Sequence, residues 1–411
     1  MLRLPTVVSN GLFFLTYFQI SRYLYGSRAH DAWLVIMLCC WSSPLYFLFL
    51  TLAWHDQWLI TFSLLSAYWF VRFLDGVWLN GHGRSKFLYG AAFALGLAGL
   101  CKYTAVFVGL TVLGVIVSQP KLRWLLRDGR LYGAVAIASL CTLPIVIWNL
   151  QNNWLSFQYY LTRSVDSGSG PTLRFDSVLF FWLTAALILS PPLVWAMGRS
   201  IMLNYPLKSP TYRPMALGLL LTSTGILSLV GLFSTALYYW NILAYLLLLP
   251  LLPPFFLPIS QKTTGHRGWL NGIQILGTVV AWLLVINYCV LPVSALFGPD
   301  GDPDGRMSFG WHSVATVVNG HIPQHDLLLT TDYRSASALA YALKDDSVLA
   351  ISNRIDQFDV WASQRTIVGQ SALVLADDWH PFIQPGPLQL NPGWQQIATI
   401  PVQRFGVKIK D

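Results

Sequence analysis

Apolar runs dominate the first three quarters of the chain and set its architecture. Ten segments, near 5–25, 31–53, 57–76, 87–102, 104–118, 133–149, 177–197, 215–234, 237–257 and 269–296, read as membrane-spanning helices, a bilayer crossing needing about 20 residues. After residue 296 the pattern changes. "HDLLLTTDYRSASALAYAL" reads as a strand, a turn and a helix, and "SVLAISN" and "TIVGQSALVLADD" read as further strands. The predicted fold is therefore an all-α polytopic membrane domain over 1–297, followed by a small α/β extracytoplasmic domain over 298–411.

Composition agrees with this pattern. The 411 residues are 55% hydrophobic and only 11% charged, where soluble domains carry about 25%. The net charge of +8 is a matter of distribution. Arg22, Arg28, Arg72, Arg84, Lys86, Lys121, Arg123, Arg127, Arg130, Arg199, Lys208, Arg213, Lys262 and Arg267 fall in one set of alternate loops. The other set holds Lys102, Arg163 and Arg174, with Arg3 at the terminus. Lys and Arg accumulate on the cytoplasmic side, so the first set is cytoplasmic and the bilayer, not a nucleic acid, is the partner. The tail and the N-terminus then both lie outside. An outer N-terminus placed directly on a span, with no signal peptide, predicts a further helix and outer loop upstream of Met1. The five cysteines all lie in apolar runs and read as small core residues, so no disulfide framework is expected.

The chain contains no glutamate, so every carboxylate is an aspartate. Asp31, Asp75 and Asp128 fall on the cytoplasmic side; Asp56, Asp166 and Asp176 fall on the outer side. Asp56 follows His55 in "AWHDQW", at the junction of two spans, and Lys102 precedes Tyr103 in "GLCKYTA", at another. Ionisable groups at membrane depth face a cavity or a partner, and these two can pair or hold something charged between them. The bland reading is an interfacial lysine and an aromatic belt with Trp54 and Trp58. No His, Cys or Asp spacing argues for a metal, and there is no nucleotide loop, Ser-His-Asp arrangement or CxxC, so no cofactor is predicted. "DGDPDG" sets Asp300, Asp302 and Asp304 at alternate positions like the start of a calcium loop, but its twelfth position is Trp311 where a bidentate Glu belongs. A polar linker is the better reading.

"IVIWNLQNNWLSFQYYLTR" raises a sharper question, because it starts as a helix and ends in amides, aromatics and an arginine. Trp148 and Asn149 close the sixth span on the outer side, and Trp154, Phe157, Tyr159 and Tyr160 follow. Such a surface can receive a sugar ring, with Arg163 on a phosphate. An amphipathic interfacial helix without a ligand explains the aromatics equally well. "ALYYWNILAY", with Tyr238, Tyr239, Trp240 and Asn241, leaves the same two readings open.

These stretches carry a resemblance. "SSPLYFLFLTLAWHDQWLITFSLLSAYWFVR", "GLAGLCKYTAVFVGL", "PIVIWNLQNNWLSFQYYLTR" and "YYWNILAYL", with "TTDYRSASALAYAL" and "SNRIDQFDVW" in the tail, are similar to membrane glycosyltransferases of the GT-C type. The group is family 39, which includes protein O-mannosyltransferases and lipid A aminoarabinose transferases. The resemblance runs over nearly the whole chain. It implies transfer of a sugar from a polyprenyl-phosphate donor to a hydroxyl or phosphate of a lipid, protein or glycan, outside a bacterial plasma membrane. It implies Lys102 as the donor-phosphate residue and Asp56 as a supporting acid or base. Arg163 would be a further phosphate contact. His55, Tyr103, Trp148, Asn149 and the Tyr238–Asn241 stretch would line the sugar and acceptor cavity. Metal and cofactor are not implied.

The resemblance also has a gap. The family's principal carboxylate lies in its first outer loop, after its first helix, whereas "MLRLPTVVSNGLFFLTYF" is similar to its second span. The expectation is a chain without that helix and loop, and hence without that base. The alternative is a non-catalytic member that binds a polyprenyl-phosphate sugar or a partner protein. A transporter is disfavoured, since no internal repeat is found.

Overall fold

The computed structural model describes residues 3–158, 173–202, 205–257, 267–298, 302–351, 356–362, 369–382 and 395–410. The chain divides into two compact units, Met1–Ala281 and Trp282–Asp411. The first is all helical. Its elements include α1 (Leu4–Tyr25), α2 (Ala29–Ser42), α3 (Pro44–Thr51), α4 (His55–Asn80), α5 (Ser85–Cys101), α6 (Val106–Ser118) and α7 (Gly129–Gln151). The helices Phe175–Leu189, Pro191–Met202 and Tyr212–Phe233 follow, with most of the helix Arg267–Val285. It is a polytopic membrane architecture.

Each apolar segment of the sequence is helical, but not each is one straight crossing. Among the described residues, four helices are long and apolar enough to span unbroken. The segment expected at 31–53 instead turns by 87° before Pro44, and that at 177–197 by 96° before Pro191. Proline lacks an N–H and disfavours helix in the residue before it. Ser43 is accordingly extended, and Ser190 sits at φ 94°. The segment at 237–257 bends by 43°. At 87–102 and 104–118 the helices are 17 and 13 residues long and part at an extended Lys102.

Burial orders the helices. In the most apolar window of α4, 72% of residues are buried; in α7 the share is 6%. The first is a central helix and the second faces lipid. Helix α4 starts after an extended Trp54, with Asp56 in its first turn, where a carboxylate meets the positive end of the helix dipole. It stops at Gly81, left-handed at φ 74°. Helices α5 and α7 approach closely: a Cβ on Gly96 would lie 2.9 Å from the Ala138 carbonyl oxygen.

The broken stretch Tyr238–Phe256 shows how the core satisfies prolines. A helical Leu246 carbonyl would accept from residue 250, and a Pro250 carbonyl from residue 254; both donors are proline. Buried tyrosines replace them. Tyr17 Oη donates to Leu246 O at 3.0 Å and Tyr25 Oη to Pro250 O at 2.5 Å. Tyr46 Oη donates to Ile242 O at 3.1 Å. Removing the Tyr17 hydroxyl orphans a buried carbonyl, a loss of roughly 1–3 kcal/mol. Tyr17→Phe is therefore expected to lower the unfolding free energy in detergent by that amount. Tyr132→Phe, which removes the same kind of bond (to Leu126 O) at an exposed site, is expected to change little. Equal effects of the two variants would contradict the assignment.

The second unit is small and mixed. Strand β1 (Leu327–Thr330) lies between β2 (Leu349–Ala350) and β3 (Ala372–Leu375), all parallel. The helix Tyr333–Leu343 links β1 to β2 and is capped by Asp332, whose carboxylate accepts from Arg334 N at 2.9 Å. Helix Trp311–Asn319 packs on it. Strands β4 (Val402–Arg404) and β5 (Val407–Lys410) form a hairpin. Its two turn residues, Phe405 and Gly406, are at φ 52° and 76°, matching the strand twist. The strands and helix expected from the sequence of the tail are all present. Asp302, from the "DGDPDG" stretch, accepts from Gly305 N and from Asn287 Nδ2, and so caps a helix start. Asp300 lies outside the described residues.

Candidate functional site

Four chain segments meet around Asp56 and Lys102. Helix α5 ends at Cys101 because Lys102 takes extended angles, φ −165° and ψ 142°, before a 3₁₀ turn over Tyr103–Ala105. That break aims a lysine from a helix junction at the N-terminus of α4. The side chains form an ion pair, Lys102 Nζ to Asp56 Oδ1 at 2.6 Å, with 14% and 6% of their surfaces exposed. The second carboxylate oxygen, Oδ2, lies 3.4 Å from His55 Nε2. His55 itself is exposed. The Lys102 ammonium sits 5.1 Å from the ring centroid of Tyr239, a geometry in which the ring face attracts the cation. Phe49 packs against both Tyr239 and Trp54, with centroids at 5.8 and 5.1 Å.

Next to Lys102, Tyr103 joins the end of α7. Its hydroxyl is hydrogen-bonded to Ser156 Oγ at 3.0 Å, and its ring stacks on Phe157 at 5.5 Å and 8°. Asn149 organises this turn. Its side-chain oxygen accepts from Ser156 N at 3.2 Å and Ser156 Oγ at 2.7 Å, and its amide donates to Ile145 O at 2.9 Å. The chain turns back through Asn153 and Trp154, both left-handed at φ 51° and 58°, a conformation that non-glycine residues hold only when their surroundings over-determine it. Tyr103 and Phe157 also line an apolar cleft of about 670 Å³ between α5, α6 and α7. Gly96, Gly99 and Gly109 line it as well; a Cβ on Gly96 or Gly99 would meet Cys141 or Thr142, so these two glycines let α5 and α7 pack closely.

The sequence reading placed Asn149 and Asn241 at a sugar and acceptor cavity. Both are buried, and their amides are engaged within the protein. Asn241 accepts from Ser223 Oγ at 2.7 Å and donates to Thr224 Oγ1 and Tyr245 Oη at 3.0 Å each. A carboxamide with both ends satisfied at full burial holds helices together rather than a ligand. Trp148, Tyr238 and Trp240 are half-buried. Tyr238 meets Tyr239 edge-on at 5.5 Å. Arg163, with Tyr159, Tyr160 and Asp166, lies outside the described residues. The sequence reading named Phe157 among the surface aromatics without its Tyr103 partner, and did not single out Ser156. Both sit in the quoted aromatic stretch, but nothing in their spacing points to Tyr103. Among the described residues, no three of His, Cys and Asp gather as a metal site would require.

With this geometry in place, comparison with known proteins becomes informative. The family model for dolichyl-phosphate-mannose-protein mannosyltransferase matches residues 1–148. The fold is similar to the crystal structure of ArnT from Cupriavidus metallidurans bound to undecaprenyl phosphate. The TM-score is 0.56 at 15% identity, over 88% of this chain and 73% of that one. The fold is of the GT-C type. No curated protein sequence matches the chain. The matched region contains α1 to α6 and most of α7, and with them Asp56, Lys102, Tyr103 and Trp148.

Proposed function

We propose that this GT-C chain binds a polyprenyl-phosphate-linked sugar and transfers the sugar to a hydroxyl- or phosphate-bearing acceptor at the outer face of the membrane. One observation carries the reading: a half-buried lysine, fixed by an aspartate at a helix break, is followed directly by a residue that lines an apolar cleft. A polyprenyl phosphate has that same order of parts, an anion followed by a long hydrocarbon. Lys102 takes the phosphate and the cleft takes the first isoprene units. The crystallised neighbour, ArnT, was bound to undecaprenyl phosphate, which supports a ligand of this class.

The chemistry follows from charge. As the bond between sugar and phosphate breaks, the phosphate gains negative charge, and a fixed ammonium beside it stabilises that state more than the ground state. Asp56 and Tyr239 are positioning residues, since they hold Lys102 and need not touch the sugar. Asp56 turns one oxygen to Lys102 and the other towards His55, which suits a supporting role better than that of a free base. The acceptor proton requires a base elsewhere.

A polyprenyl phosphate carrying a photoreactive group on its first isoprene unit tests the reading. With the full chain in nanodiscs, labelling is expected to concentrate on Tyr103–Leu110 and on Ser139–Phe157. Even labelling of all lipid-facing helices, including Arg267–Val285, would refute the cleft as the donor site.

A further inference from the structure

The second unit carries a cleft that the transfer reaction does not use. From β1 the chain crosses to β2 on one side, while β3 lies on the other. In open parallel sheets, ligands bind at the carboxyl ends of the strands where the order reverses in this way. Here that crevice opens into a cleft of ≈ 580 Å³. Ser335 follows β1, Asp377 and Asp378 follow β3, and Lys410 reaches in from β5.

The polar groups are placed, not loose. Asp377 accepts from Ser335 Oγ at 2.7 Å and from His380 N at 2.8 Å, and contacts His380 Nδ1 at 2.9 Å. Lys410 is 4% exposed, yet its ammonium hydrogen-bonds only to Met307 O, at 3.3 Å, among the described residues. It lies 4.1 Å from the Trp311 ring centroid. An ammonium has three N–H donors, so a buried donor lining the cleft keeps hydrogen-bonding capacity. Burial pushes this amine down to about 8, against the pull of Asp377 and Asp378. Asp378, Gln396 and Thr399 stand exposed on the rim, and Val314, Ala376 and Ala398 supply apolar strips between the polar groups.

We propose that this cleft is a saccharide-binding site. Two carboxylates against one ammonium repel a phosphate or a nucleotide. Asp377 is held by Ser335, Trp379 and His380, so Asp378 is the carboxylate that accepts from sugar hydroxyls, while Lys410 and the Gln396 amide, which also donates to Thr399 Oγ1 at 2.8 Å, donate to ring and glycosidic oxygens. The apolar strips match the C–H faces of a pyranose. The inference rests on residues of the second unit alone and does not depend on Lys102.

The test uses the labelled full chain in nanodiscs on an array of mono- to tetrasaccharides of neutral hexoses, hexosamines and uronic acids. The expected result is retention on at least one sugar class. Asp378→Asn and Gln396→Ala, both at exposed rim positions that leave folding intact, are expected to lower it about tenfold, the scale of one lost hydrogen bond to a charged or desolvated group. Lys410→Met is expected to do the same. Excess polyprenyl phosphate should not displace the glycan. The proposal is overturned if no sugar is retained, if the rim variants bind as well as the parent, or if polyprenyl phosphate competes the glycan away.

Discussion

Replacing Lys102 by alanine is expected to weaken polyprenyl-phosphate binding by about 10–150-fold, which corresponds to the 1.5–3 kcal/mol of a hydrogen bond to a charged group. The loss should be accompanied by a loss of stability. Asp56 would keep its burial and lose its counter-ion, and breaking one side of a buried pair costs about 3–5 kcal/mol. The two effects separate in the double variant Lys102→Ala with Asp56→Ala. Stability should return towards the parent because no unpaired charge remains, whereas binding should stay lost because the ammonium is gone. Lys102→Arg keeps the charge but brings a planar fork into a space built for a compact ammonium, so partial binding is expected. Binding to nanodisc-embedded protein and thermal unfolding in the same preparation give both readouts. A single Lys102→Ala variant that binds polyprenyl phosphate within about twofold of the parent, at less than 0.5 kcal/mol, would remove Lys102 from the donor site.

A larger structural effect is expected at Asp75, far from any proposed chemistry. Its carboxylate accepts from Tyr23 Oη at 2.6 Å, from Thr211 N at 3.0 Å and from Thr211 Oγ1 at 2.7 Å. It thereby ties α1 and α4 to the start of the helix Tyr212–Phe233, whose first turn needs an acceptor for its backbone donors. Arg72 lies 4.5 Å from the centroid of the Tyr23 ring. Asp75 is 1% exposed, so water cannot replace it. Asp75→Ala orphans the Tyr23 hydroxyl and the Thr211 amide at about 1–3 kcal/mol each, or roughly 2–6 kcal/mol together. Asp75→Asn keeps one acceptor oxygen and should lose less. Chemical unfolding in detergent resolves the ranking. If both variants unfold within 1 kcal/mol of the parent, the network contributes nothing of note.

The contrast between Asp56 and Asp75 shows what was legible. From the sequence, Asp56 stood out because it and Lys102 occupy matching ends of apolar spans, and a hairpin of neighbouring helices brings such ends together. Asp75 looked like an ordinary cytoplasmic-side acid, since its partners come from 52 residues before it and 136 after. Asn149 and Asn241 are ambiguous in the opposite direction. A carboxamide at a helix end is equally suited to a ligand or to a backbone, and only the packing of Ser156, Ser223 and Thr224 decides the matter.

The sequence alone determined the membrane class, the positions of the helical segments, the small α/β tail and the candidacy of Asp56 and Lys102. Each of these follows from local chemistry: apolar run length, turn residues, and the cost of a charge at membrane depth. Tertiary structure decided which segments bend, which polar groups are consumed inside the protein, and where a cleft remains open. The prolines at 250 and 254 announce two lost donors, but the tyrosines that replace them lie more than 200 residues earlier. Hydrogen-bond satisfaction is a property of three-dimensional neighbours, and spacing along the chain does not carry it.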